Sequence, residues 1–321
     1  FNYNIKKHLF FINFFMFSLL FPGQGSQNVG MAKEFYNNFG YVKEYFFEAD
    51  SILKKKISKI ILDGPNSELE KTENTQPAIF LVSFSIFNII KKETNFNLNS
   101  AKFFAGHSLG EYSALCCAES LTFEQTINLL KFRGKAMQNA VPNGEGGMVA
   151  ILGVNIKEIN EILDAHKDNF KCFIANDNSV GQIVVSGKNQ SLELFCSELK
   201  KKKFKFVKLP VGSPFHCPLM SSATDEMRDK INETNFKEPK VSIISNVTAN
   251  PTNSTNEIKR LLIDQIEKPV RWRESINNMI KLDINHFIEI GPGKILSGLV
   301  KRINRNVILN QVNTFDDIKG L

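Results

Sequence analysis

A chain of 321 residues with 42% hydrophobic and 23% charged content can bury a large core, and its composition is that of an ordinary soluble globular protein. The formal net charge of +7 suits an acidic partner or substrate, but no zinc-finger spacing, helix-turn-helix signature or aromatic-plus-basic RNA motif accompanies it, so nucleic acid is not expected. The five cysteines, Cys116, Cys117, Cys172, Cys196 and Cys217, are odd in number and lack C-x-x-C spacing, which argues against a disulfide framework and a structural zinc and for a reducing compartment.

The apolar run Leu9–Phe21 is too short to span a bilayer, so no membrane association is expected. Its latter half predicts the first core strand, and residues 1–13 read as a leader remnant or an appended extension. Helical patterns follow over Ala32–Phe39 and Val42–Lys55, and Ala78–Ile90 reads as a longer apolar helix. Ala101–Ala105 then reads as a short buried strand and Glu111–Ala118 as a helix. Between them stands Gly106-His107-Ser108-Leu109-Gly110. G-x-S-x-G between strand and helix is a nucleophile elbow, a strained turn that presents the serine hydroxyl at a helix N-terminus. Its glycines are required because side chains there would collide with the flanking strand and helix. Ser108 is the expected nucleophile.

The helix Phe123–Met137 carries Lys131, Arg133 and Lys135 in its last turns. The Gly-rich loop Pro142–Gly147 lacks the Lys-Ser/Thr of a phosphate cradle and reads as a domain crossing. Strand Met148–Val154, helix Ile156–His166, strands Lys171–Asn176 and Gln182–Ser186, helix Gln190–Lys203 and strand Phe204–Val211 then spell βαββαβ, a split ferredoxin-like unit. Lys200-Lys201-Lys202-Lys203 reads as a solvated helix end. The larger α/β pattern resumes with strand Val241–Ser245, helices Thr255–Ile266 and Val270–Leu282, and strand His286–Ile290. Gly291-Pro292-Gly293-Lys294 lacks P-loop spacing and reads as a turn into the helix Ile295–Ile303. The expected fold is therefore a hydrolase-like α/β core with a parallel sheet, residues 14–141 and 212–321, interrupted by a ferredoxin-like subdomain over 142–211. An inserted unit of this kind creates a cleft where ligands bind.

An elbow serine needs a general base, and the chain has five histidines. His8 falls in the leader, His166 ends a helix, and His107 lies inside the elbow, pointing away from its neighbour's hydroxyl. His286 begins a strand, where a packing role is sufficient. His216, in Pro214-Phe215-His216-Cys217-Pro218, lies where the small unit returns to the core, beside the cleft, and is favoured. Arg133, on residue pattern alone, reads equally well as a surface arginine.

Taken in order, Phe21-Pro22-Gly23-Gln24-Gly25-Ser26-Gln27, Gln76-Pro77-Ala78, Gly106–Tyr112, Arg133-Gly134, Pro214-Phe215-His216 and Gly291–Lys294 form a specific set. From about Phe17 to about Asn304 the chain resembles the malonyl-CoA:acyl carrier protein transacylases of type II fatty-acid synthesis. The resemblance implies ping-pong transfer of a malonyl group from malonyl-CoA to the thiol of holo-acyl carrier protein through a malonyl-serine. It implies Ser108 as nucleophile and His216 as base, oriented by a backbone carbonyl at Gln265 rather than by an aspartate. Gln24 and the Leu109 N–H would form the oxyanion hole, and Arg133 would hold the malonyl carboxylate. Phe215, Asn246 and Gln76 would complete the substrate pocket. Gly212-Ser213 before Pro214, and Asp177 and Val180 in the loop after Ala175, depart from the family pattern near the cleft rim. No metal or prosthetic group is called for, and a monomer is expected.

The rivals are a serine esterase, which has no use for a cation in its acyl pocket, and a non-catalytic scaffold for a carrier protein. Heavy use of Asn, Lys, Ile and Phe fits an AT-rich genome. With the leader remnant, that points to an organelle of the plastid type, an apicoplast, with mitochondrion or bacterial cytoplasm as alternatives.

Overall fold

The computed structural model describes residues 16–142 and 144–320. The expected leader remnant over residues 1–13, with His8, lies outside the described residues. The strands in chain order are β1 (Phe17–Phe21), β2 (Phe103–Gly106), β3 (Gly146–Leu152), β4 (Cys172–Ser179), β5 (Gln182–Lys188), β6 (Lys205–Lys208), β7 (Ser242–Ile244), β8 (Pro251–Thr252), β9 (His286–Ile290) and β10 (Ile308–Val312). They form a six-stranded sheet ordered β10-β9-β1-β2-β7-β8 and a four-stranded sheet ordered β4-β5-β3-β6.

In the larger sheet every pairing is parallel except that of β8 on β7. A parallel sheet is covered on both faces, so its strands read as continuous apolar runs. Phe17, Leu19, Phe21 and Phe104 face the main core, whereas Leu20, Phe103 and Ala105 face a second cluster with Val270, Trp272 and Phe287. The central pair β1–β2 is in register from Ser18↔Phe103 to Phe21↔Gly106. Both strands therefore leave the sheet side by side at its carboxyl edge, where α/β sheets bind ligands.

The helix of Thr72–Glu93 is buried along most of its surface and begins a full turn and more before the expected Ala78, with Pro77 inside it. The expectation failed there because a proline reads as a helix start. Its neighbour, Phe123–Asn139, starts at a capping box of Thr122 and Gln125. The two approach closely at Gly134, where an added Cβ would lie 2.6 Å from the Thr72 carbonyl oxygen. That approach brings Arg133 beside Gln76.

The four-stranded sheet is antiparallel throughout, with β3 central between β5 and β6 and helices Ile156–Ala165 and Asn189–Lys201 packed on it over their own apolar cluster. Gly146 and Gly147, expected in the loop, already belong to β3. Lysines 200–203 are exposed at a helix end, as expected. Irregular pairing in β4, between Ile174 and Asn176 and between Asp177 and Ser179, lets that strand also join the larger unit. Val270 donates to the Ala175 carbonyl and its own carbonyl accepts from the Asp177 N–H. Among the described residues no helix is long and apolar enough to cross a membrane.

Candidate active site

The elbow forms where β2 runs into the helix Gly110–Cys117. A Cβ on Gly106 would strike the Gly110 backbone, and one on Gly110 would strike the Phe21 carbonyl, so both glycines are needed for this approach. Ser108 has φ of 52°, the left-handed region that costs a non-glycine residue of order 1–3 kcal/mol. The turn is secured from behind by Asn246. Its Oδ1 accepts the Ser108 N–H at 2.7 Å, and its Nδ2 donates to the Gly106 carbonyl at 2.7 Å. The Ser108 N–H is thereby committed. The Leu109 and Gln24 N–H groups have no hydrogen-bond acceptor among the described residues, and both residues line the cavity that contains Ser108.

His216 comes from the loop after the small sheet, 108 positions further along. Its Nε2 lies 2.8 Å from Ser108 Oγ, and its Nδ1 lies 2.8 Å from the Gln265 carbonyl oxygen. A neutral imidazole that donates from Nδ1 to that carbonyl leaves Nε2 as an acceptor for the serine proton. Burial, then the Arg133 charge and the neighbouring His107, push the His216 pKa down to about 3, against the pull of the Gln265 carbonyl. The ring is therefore neutral in the resting site. No other histidine among the described residues bonds Ser108 Oγ, although His107 lines the same cavity. His107 Nε2 bonds Asn178 Oδ1 at 2.8 Å, His286 Nε2 bonds Asn310 Oδ1 at 2.7 Å across β9 and β10, and His166 stacks on Phe170.

Arg133 is not a surface residue. It is 1% exposed, and its head group is held by neutral partners. Nη1 donates to Gln76 Oε1 at 2.8 Å, and Nη2 donates to Gln265 Oε1 at 2.8 Å and Ser108 Oγ at 3.1 Å. Its Nε–H has no hydrogen-bond partner among the described residues. A buried guanidinium next to a nucleophile, bonded only to amides and a hydroxyl, is a place for an anion.

Ser108, His216, Arg133, Gln24, Gln76 and Phe215 line one cavity of about 140 Å³. Gln24 and Val211 also line a wider depression of about 540 Å³ that reaches Gly212 and Ser213, so the cavity opens toward the rim. A larger groove of about 950 Å³ touches His216 from its other side, between the small unit and the helix Trp272–Lys281, but Ser108 is not among its walls. One expectation needs correction: Asn246, placed in the substrate pocket, does not line the acyl cavity but is buried behind it. Gln265 presents its backbone carbonyl to His216, and its side chain is likewise buried behind the cavity. Asp177, expected near the cleft rim, lines the larger groove and makes a two-pronged ion pair with Arg273, with contacts of 2.9, 3.1 and 2.7 Å, which ties β4 to the core.

Sequence reasoning missed Glu111. Its buried carboxylate accepts from the Asn246 N–H at 3.1 Å and from Gln265 Nε2 at 2.8 Å. Burial raises its pKa to about 7, opposed by those two bonds and the Arg133 charge. The available signal was an acid in the first turn of an otherwise uncharged helix.

A family model described as acyl transferase domain matches residues 18–311. A protein of Bacillus subtilis (strain 168) named malonyl CoA-acyl carrier protein transacylase is 41% identical over 293 residues, covering 90% of this chain and 91% of that one. Among solved structures, the acyl-carrier-protein S-malonyltransferase of Bartonella henselae is 40% identical with a TM-score of 0.92, over 95% of this chain and 97% of the other. A malonyl-transacylase solved in complex with a type II polyketide acyl carrier protein is 34% identical with a TM-score of 0.90, over 94% and 97% of the two chains.

Proposed function

The chain belongs to the acyl transferase domain family, and we propose on that premise that it is an acyl-carrier-protein S-malonyltransferase. It moves a malonyl group from malonyl-CoA to the phosphopantetheine thiol of holo-acyl carrier protein and so supplies fatty-acid elongation. The observation that carries this reading is Arg133 Nη2 3.1 Å from Ser108 Oγ. An acyl group joined to that oxygen and ending in a carboxylate meets a buried guanidinium, which an esterase of neutral acids does not need.

In the first half-reaction Ser108 Oγ attacks the thioester carbon as its proton passes to His216 Nε2. Negative charge develops on the carbonyl oxygen, where the Leu109 and Gln24 N–H groups serve as donors. Collapse breaks the C–S bond, and the CoA thiolate leaves with the proton from His216. In the second, the carrier thiol gives its proton to Nε2, its sulfur attacks the malonyl ester, and the proton returns to Ser108. A carboxylate paired with Arg133 offsets the charge that disfavours imidazolium at His216. Malonyl substrates therefore assist the base that transfers them. Gln76 braces Arg133, and Phe215 narrows the space beside the acyl α-carbon.

The strand order β4-β5-β3-β6, with two helices, supports a ferredoxin-like subdomain over 142–211 set into a hydrolase-like core over 14–141 and 212–321. We read the protein as a monomer without a nucleic-acid partner, which light scattering after gel filtration checks. The bacterial origin of the relatives favours a bacterial-type cytoplasm. The apicoplast expectation rests on amino-acid usage together with the leader reading, and microscopy of the tagged protein in its source cells decides it.

Incubation with malonyl-CoA followed by intact-protein mass spectrometry tests the reaction. A malonyl adduct is expected in the wild type and absent from Ser108→Ala, whose turnover drops by at least about 10³-fold. An adduct that persists in Ser108→Ala overturns the nucleophile.

A further inference from the structure

We propose that Glu111 is a positioning residue for malonyl selectivity, its carboxylate deciding which end of the Gln265 side-chain amide faces Arg133. The inference rests on the reading of Arg133 as the partner of the malonyl carboxylate.

Gln265 is fully buried and stands at the centre of the site. Its backbone carbonyl accepts from His216 Nδ1, its Oε1 accepts from Arg133 Nη2 at 2.8 Å, and its Nε2 donates to the Ser108 carbonyl at 3.1 Å. An amide has a donor end and an acceptor end of nearly equal shape, so a buried one is fixed only by its neighbours. Arg133 offers donors alone and requires oxygen on its side. On the other side, the closest acceptor for Nε2 is Glu111 Oε2, at 2.8 Å. The alternatives are longer, at 3.1 Å to the Ser108 carbonyl and 3.4 Å to Asn246 Oδ1.

Glu111 is itself held in place. It sits in the first turn of the elbow helix, and its Oε2 also accepts the Asn246 N–H at 3.1 Å. Glu111 has no hydrogen bond to Ser108 Oγ, His216 or Arg133 among the described residues. Its hydrogen-bonded route to Arg133 runs through Gln265; beside it stand the attraction between the two charges and the bond to Asn246, which Glu111→Gln separates from acceptor position. If the acceptor is withdrawn, the amide can turn its NH₂ toward the guanidinium, donor against donor. Arg133 then loses the bond that aims Nη2 at the acyl site. Transfer of malonyl, which uses that cation, suffers more than transfer of acetyl, which does not.

The test is kcat/KM for malonyl-CoA and for acetyl-CoA, with holo-acyl carrier protein as acceptor, in the full chain and in Glu111→Asp, Glu111→Gln and Glu111→Met. Glu111→Asp keeps the charge but draws the acceptor back by a methylene, and Glu111→Met removes it. Both are expected to lower the malonyl-to-acetyl ratio by about fivefold or more, as loss of one charge-assisted hydrogen bond would. Glu111→Gln is expected to stay within about twofold of wild type, because its amide oxygen accepts the same two N–H groups. In a Gln265→Met background, Glu111→Asp should move the ratio no further, since the intermediary is gone. A residue with only a structural role would lower both rates together and leave the ratio unchanged, which overturns the proposal. So does a fall in Glu111→Gln as deep as in Glu111→Asp, since charge rather than acceptor position would then be at work. If Glu111→Met does not fold, the Asp and Gln pair decides alone. A wild type that transfers no malonyl group would overturn the functional reading and this proposal with it, whereas an unchanged ratio in an active enzyme overturns the proposal alone.

Discussion

Ser108 and His216, joined at 2.8 Å, both have left-handed backbone, with φ of 52° and 58°. Each conformation carries strain of order 1–3 kcal/mol, which persists only because the surroundings over-determine it. For Ser108 those surroundings are the glycine-lined elbow and Asn246. For His216 they are the Gln265 carbonyl and the buried loop that carries Phe215 and Cys217. Strain on both partners fixes their distance before substrate arrives.

Removing the base should therefore separate two histidines cleanly. His216→Ala is expected to lower malonyl transfer by roughly 10²–10⁴-fold, the usual worth of a general base. His286→Ala should alter the thermal midpoint more than the rate, because its ring joins β9 to β10 through Asn310. Steady-state kinetics and thermal unfolding of the two variants check this, and the reverse pattern would move the base to His286.

Arg133 should set the preference for malonyl over acetyl. A charge-assisted bond contributes about 1.5–3 kcal/mol, so a two-pronged pair in this sheltered pocket can separate the substrates by about 10²-fold or more. Arg133→Ala is expected to lose malonyl transfer and to keep or gain acetyl transfer. Arg133→Lys should recover only part of the malonyl activity, because one ammonium cannot reproduce the fork. An unchanged ratio of the two kcat/KM values would remove Arg133 from the acyl site.

Protonation makes a stability prediction. The unfolded chain protonates His216 near its ordinary value of 6.5, whereas the folded chain resists until about 3. Below 6.5 the unfolded state thus binds more protons, and this group's contribution to stability is lost as pH falls. Glu111, raised from 4.5 to about 7, acts in the opposite sense and loses its contribution as pH rises through that window. His216→Asn deletes only the first effect. Measured by urea unfolding from about pH 7.5 to about pH 4.5, the variant should gain on the wild type as pH falls. A stability difference that is constant with pH would contradict the burial of a neutral imidazole.

The helix contact at Gly134 gives a fourth expectation. A methyl there meets the Thr72 carbonyl oxygen at 2.6 Å and the Glu73 Cα at 2.7 Å, both backbone atoms that cannot step aside cheaply. Gly134→Ala should cost about 1–3 kcal/mol by overpacking. It should also reduce malonyl transfer disproportionately by shifting Arg133 away from Gln76. Chemical denaturation and the same substrate ratio test the two halves.

The elements that were legible in the sequence share a physical reason. Strand β9 and the helix Ile295–Ile303 lie where expected because their apolar residues are dense and their ends carry strong turn signals. The helix Ser221–Glu233 went unread: only Ala223, Thr224, Met227 and Ile231 face inward, too sparse a stripe to stand out. Strand β10 mixes Ile308 and Val312 with Asn310 and Gln311 at the sheet edge, and its pattern is equally weak. In the site, the elbow was legible because its backbone demands particular residues. The Gln265 amide was not, because what a side chain does when buried depends on partners 132 and 154 positions away.

The contact between Gly146 and Pro214 has a consequence for how this protein can be assembled. A side-chain carbon at Gly146 would run into Pro214, and the Leu209 N–H bonds the Met148 carbonyl, so the chain comes back to the point where it left. The intervening stretch of about 60 residues is a closed excursion, whose closure costs only about 4 kcal/mol because that term grows with the logarithm of length. The two parts of the larger sheet can meet before the excursion has ordered, and the excursion can nucleate on its own local hairpins. It is thus a natural cassette. Exchanged for the matching stretch of a relative, it would replace Asn176, Asn178 and Val184 in the wall of the acyl cavity while Ser108, Leu109 and Arg133, all earlier in the chain, keep their places.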